Sequence, residues 1–68
     1  MEEKDYLKRM KSEVVELLER VKKIKSFIGS DKFNELSEQK QNLLRAQNLA
    51  MGAYLNILTE RIRVEESE

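Results

Sequence analysis

Seven apolar residues, Leu7, Met10, Val14, Leu17, Val21, Ile24 and Ile28, recur at intervals that alternate strictly between three and four. That spacing puts all of them on one stripe of an α-helix, the kind of seam by which helices pair, whereas a strand would need alternation at every second residue. Val15 and Leu18 widen the stripe and Phe27 extends it. The helix therefore has more apolar surface than one two-stranded pairing uses, and is expected to meet more than one partner helix. The absence of proline, the two glycines and the abundance of Leu, Glu, Lys, Arg and Gln agree with helix elsewhere. The chain reads as one all-α domain over 1–68. A long N-terminal helix over about 5–28 is followed by a short helix over 31–36 and a long C-terminal helix over about 38–63.

The breaks have local causes. Gly29 can close the first helix in the left-handed conformation, and Ser30 with Asp31 suits the start of the next. Phe33 and Leu36 lie three apart and are expected to tuck under the long helices. Ser37 followed by Glu38 reads as a helix cap with an acid in the favourable first turn. The acidic end at 64–68 is expected to fray.

Between Leu49 and Leu58 the run LAMGAYLNIL leaves almost no polar face. Leu43, Gln47, Ala50, Tyr54, Ile57 and Arg61 form one stripe; Leu44, Met51, Leu55, Leu58 and Ile62 form the adjacent one. A helix apolar on nearly every side is a buried helix, and one hairpin partner cannot cover it. A symmetric homo-oligomer is therefore expected, with Leu44, Gln47, Met51, Tyr54, Leu58 and Ile62 in its core. Size points the same way, since 68 residues bury too little surface to be comfortable alone and the sequence has no cysteine or histidine for a disulfide or zinc staple.

Composition narrows the function. Thirteen basic and thirteen acidic side chains cancel, which argues against binding polymeric nucleic acid. A charged N-terminus and the lack of a long apolar run argue against a leader or membrane span, so a soluble, intracellular protein is expected. Without imidazole or thiol, no nucleophile and base pair can be assembled and no usual metal set exists, so neither an enzyme nor a cofactor protein is expected.

What remains is binding. Arg20, Lys22, Lys23 and Lys25 put four cations within six residues, and Lys4, Lys8, Arg9 and Lys11 form a second group one helix length earlier. Such charge is ordinarily a solvated face. If two first helices cross antiparallel in an oligomer, however, the basic end of one near Arg20 lies beside Tyr6 of the other, offering an aromatic face for a base and cations for phosphates. Arg61 stands on the otherwise apolar side of the last helix, where a buried cation needs an anion. Gln47 likewise needs partners if buried.

The run from Ser30 to Ile62, with Phe33, Leu36, Leu43, Leu44, Gln47, Met51, Tyr54, Leu58, Arg61 and Ile62 at its marked positions, resembles a family of very small phage proteins, the anti-CBASS sponges. YLKR and ERVKKIKSFI precede that run. The resemblance implies a helical hexamer that captures cyclic dinucleotides, and in a separate pocket cyclic trinucleotides, without cleaving them, so that a host's CBASS immune signal is lost in the host cytoplasm. By the same resemblance Tyr6 stacks on a base and Arg20 holds phosphate, with Lys22 or Lys23 as alternatives, and Arg61 marks the trinucleotide site. Val14, Val15 and the basic run from Lys22 to Lys25 depart from the family pattern. The competing expectation is a small helical adaptor that holds a host protein on an apolar helix face.

Overall fold

The computed structural model describes residues 4–68 and has three helices, α1 (Asp5–Ile28), α2 (Asp31–Asn34) and α3 (Glu38–Ser67). No strand occurs among the described residues. α1 and α3 pair antiparallel as a hairpin 52 Å long and 14 Å across in both other directions. Tyr6 meets Glu65 and Glu13 meets Tyr54, which sets the register.

The seam of α1 is used as its spacing demands. Leu7, Met10, Leu17 and Val21 are buried, and Val14, Ile24 and Ile28 are half-buried. α3 answers with a seam of the same alternation: Gln41, Leu44, Asn48, Met51, Leu55, Leu58, Ile62 and Glu65 are all buried or half-buried. Leu58 is wholly enclosed at 0% exposure. Burying one such side chain contributes roughly 1.5–3 kcal/mol, and among the described residues only six apolar side chains are buried. A two-helix hairpin has no third layer to enlarge that core.

The corner is the most tightly determined part. Phe33, at 1% exposure, packs edge-on to Phe27 with ring centroids 6.2 Å apart, and the Arg45 guanidinium lies 5.1 Å from the Phe33 ring centre. The Ser30 hydroxyl donates to the Phe27 carbonyl at 2.6 Å and accepts from the Phe33 N–H at 3.4 Å, capping α2. Gln41 donates its amide to the carbonyls of Phe33 and Leu36 at 3.1 and 3.0 Å. Ser37 accepts from the Lys40 N–H at 3.2 Å and starts α3. Polar backbone groups left over at four helix ends thus find partners within one corner.

Three expectations are corrected here. Gly29 does not adopt the left-handed conformation; its φ is −83°, and the turn is closed by its own N–H to Lys25 and by Ser30 to Phe27. α2 ends at Asn34 rather than near Leu36: the N–H groups of Glu35 and Leu36 turn back only three residues, onto the Lys32 and Phe33 carbonyls, and the Gln41 amide then binds the Phe33 and Leu36 carbonyls. The acidic end does not fray after Arg63. α3 continues to Ser67, held by Tyr6 and Lys4 on Glu65 and by Lys11 on Glu66.

Candidate functional site

Tyr6, Glu13 and Arg20 are spaced seven apart on α1, and Gln47, Tyr54 and Arg61 are spaced seven apart on α3, so each trio forms a strip along its helix. The antiparallel register brings the two strips together on one edge of the hairpin. Near its middle the Tyr54 hydroxyl donates to Glu13 Oε2 at 2.8 Å. That bond, reinforced by partial burial and the negative charge of Glu13, raises the Tyr54 phenol above its ordinary range while the nearby Arg61 cation opposes the shift. A cavity of about 400 Å³ opens here, lined by Glu13, Glu16, Leu17, Arg20, Gln47, Met51 and Tyr54. It combines a guanidinium, an amide, carboxylates and a ring in one place.

The terminal end of this edge carries a second cluster. The Tyr6 hydroxyl donates to Glu65 Oε2. Lys4 Nζ lies 3.5 Å from the same oxygen and 5.6 Å from the Tyr6 ring centre. Glu65 is consequently held below the usual carboxylate range, first by the Tyr6 hydrogen bond and then by the Lys4 and Arg61 charges. Lys4 is raised, chiefly through Tyr6. Next to this cluster, Asn56, Ile57, Glu60, Arg61, Val64 and Glu65 line a shallow groove of about 470 Å³ on the outer side of α3.

Of the residues singled out for phosphate, Arg20 reaches the cavity. Lys23 follows it by three residues and stands beside it, on a strip with Glu16 and Arg9. Lys22 follows by two residues, a turn of about 200°, and projects from the opposite flank with Lys8 and Val15. All five cations are exposed. Tyr6 and Arg20 are separated by fourteen residues of one helix, about 21 Å, so a single protomer does not bring them onto one small ligand.

The residues grouped as an oligomer core divide into two sets. Leu58 is consumed entirely within the protomer, and Leu44, Met51 and Ile62 lie half-buried on the same inner seam against α1. Gln47 and Tyr54 belong instead to an exposed outer seam, Leu43, Gln47, Ala50, Tyr54, Ile57, Arg61 and Val64, whose spacing again alternates between four and three. α1 has first claim on the inner stripe, which leaves Leu58 no surface for a neighbouring copy and Leu44, Met51 and Ile62 only part of theirs. The buried amide is also a different one: Gln47 is exposed, with its amide 3.8 Å from Met51 Sδ, while Asn48 Oδ1 is buried without a hydrogen-bond partner. Extending the three-four alternation from Leu58 through Ile62 would have pointed to Glu65, which sequence reasoning left in the tail.

The sequence pattern of the Sequestin family matches residues 4–64, nearly the whole chain. The chain belongs to the Sequestin family. The Sequestin match includes Tyr6, Arg9, Arg20, Lys22, Lys23 and Arg61, and ends one residue before Glu65. No curated protein and no solved structure matches this chain. Among the described residues no group of three or more His, Cys, Asp or Glu is placed to hold a metal ion, and no helix is long and apolar enough to cross a membrane.

Proposed function

We propose that this protein is a homo-oligomeric sponge that binds cyclic di- and trinucleotide messengers of CBASS immunity and withholds them without chemical change. The family name is that of a sequestering protein, which supports capture in general. The observation that carries the reading further is the position of the binding edge. Tyr54 and Arg61 belong at once to the exposed apolar seam and to the edge that holds Glu13, Arg20 and Gln47. Copies that meet through the outer seam bring these side chains into shared crevices, which resolves the separation of Tyr6 from Arg20 within one chain. Tyr6 from one protomer stacks on a base, and Arg20 of another, with Lys23 and Arg9 beside it, holds phosphate. Arg61, at the apolar groove with Ile57 and Val64, serves the larger cyclic trinucleotide.

Capture needs affinity and abundance alone, and a rigid cyclic ligand loses little freedom on binding. On this reading the chain acts as a phage protein in the host cytoplasm, as a hexamer, and uses no cofactor. Calorimetric titration with a panel of cyclic di- and trinucleotides tests this reading: saturable binding with the ligand recovered intact is expected, and no heat with any member at micromolar concentration overturns it. The outer seam, with Leu43 and Ile57 exposed at 64% and 58%, favours the rival adaptor reading equally well as a surface. An adaptor would leave every cyclic nucleotide unbound.

A further inference from the structure

Glu65 stands where an apolar residue is due. It continues the inner seam of α3 after Leu58 and Ile62, and its side chain is only 26% exposed. A carboxylate in that position costs desolvation unless charge or hydrogen bonds compensate it. Here the compensation comes from the first turn of α1: the Tyr6 hydroxyl donates to Oε2, and Lys4 Nζ lies 3.5 Å from the same atom. Arg61, one turn earlier on α3, adds a further positive charge, and the neighbouring Lys11–Glu66 pair at 2.9 Å holds the same last turn against α1.

A phenolic hydroxyl lies in the plane of its ring, so a hydrogen bond at that end fixes the ring without itself covering a face; Lys4 Nζ, 5.6 Å from the ring centre, lies over one face. The side chain of Tyr6 remains 40% exposed as a whole residue, and it sits in the first turn of a helix, where a tyrosine with no tether would move among rotamers. A ligand that stacks on a mobile ring must first immobilise it.

We propose that Glu65 is a positioning residue for Tyr6, holding the phenol so that the ring is already set to stack on a base when the ligand arrives. The inference rests on the reading of Tyr6 as the stacking residue. Glu65 lies one residue beyond the stretch matched by the family pattern. Arresting one rotamer-rich side chain before binding is worth about three- to tenfold in affinity.

The test compares the intact protein with Glu65→Ala, Glu65→Gln, Tyr6→Phe and the double variant Tyr6→Phe/Glu65→Ala. Each is titrated with the tightest-binding cyclic dinucleotide, with solution mass and thermal midpoint measured alongside. Glu65→Ala and Tyr6→Phe should each weaken binding about three- to tenfold, the double variant should be no weaker than either, and Glu65→Gln, which still accepts the phenolic hydrogen bond, should keep most of the affinity. Wild-type affinity in Glu65→Ala overturns the inference, as do losses that multiply in the double variant or a Glu65→Gln as weak as the alanine. A loss of affinity that merely follows loss of assembly or of thermal stability identifies Glu65 as a structural clasp and also overturns it. If the wild type binds no cyclic nucleotide, the functional reading itself falls and takes this inference with it; if the wild type binds and Glu65→Ala binds equally, only the inference falls.

Discussion

The two seams of α3 follow the same three-four alternation, yet one is covered and the other is bare. The inner seam presents Leu44, Leu55, Leu58 and Ile62 to α1 and is buried or half-buried throughout, while the outer seam leaves Leu43, Ile57 and Val64 in the open. Each outer-seam residue comes one position before an inner-seam residue and so lies about 100° round the helix from it. One helix therefore carries two addresses, and the protomer answers only the inner one. An apolar stripe this regular, flanked by Tyr54 and Arg61, is the part of the molecule that has to be explained by something outside it.

The adjacent residues Leu58 and Ile57 allow the contrast to be broken one seam at a time. Leu58→Ala removes a fully enclosed side chain and should destabilise the protomer by about 2–5 kcal/mol, read as a drop in helical signal and thermal midpoint. Ile57→Glu, on the bare seam, should leave the isolated protomer within about 0.5 kcal/mol of its stability while abolishing self-association. Light scattering should then report a monomer, and cyclic-nucleotide binding should be lost with the assembly. If both substitutions unfolded the chain alike, the distinction between the seams would be wrong.

Much of this contrast could be read before any coordinates. The alternation of Leu7 through Ile28 specified α1 and its buried face, and Phe33 and Ser37 marked the corner correctly. The division of α3 was harder, because in LAMGAYLNIL nearly every position is apolar or small and spacing alone does not say which stripe α1 will occupy. Register decides that, and register depends on polar contacts such as Tyr54 to Glu13 and Tyr6 to Glu65, across 41 and 59 residues. Arg20 and Tyr54 were found as candidates, but their meeting at one cavity was not, since it follows from the pairing of two strips rather than from either alone. The carboxylate at position 65 looked like part of an acidic fringe until its seam position was traced.

The clasp at the helix ends sharpens the comparison through pH. Glu65 is depressed below its ordinary range mainly by the Tyr6 hydrogen bond, with help from Lys4 and Arg61. A depressed carboxylate contributes stability that is complete above its unfolded value and disappears as pH falls through the lower, folded one. Acid titration followed by circular dichroism should therefore show a small early loss of stability at the terminal end that Glu65→Gln lacks, and identical acid profiles would contradict it. The smallest effect is expected at the far end of the hairpin. Gly29→Ala should be neutral or stabilise by about 0.4–1 kcal/mol, because φ there is −83° and an added Cβ would meet its nearest carbonyls at 3.7 Å, an ordinary contact. Chemical denaturation would measure it, and a clear destabilisation would mean that the corner is more strained than its geometry implies.

Native mass spectrometry of the wild-type protein with an excess of cyclic dinucleotide tests the central claim most directly, because a single spectrum reports assembly, stoichiometry and the integrity of the ligand. A multimer carrying uncleaved cyclic nucleotide at a fixed ratio is the predicted result. A free monomer, or a multimer with no ligand retained, would contradict the account.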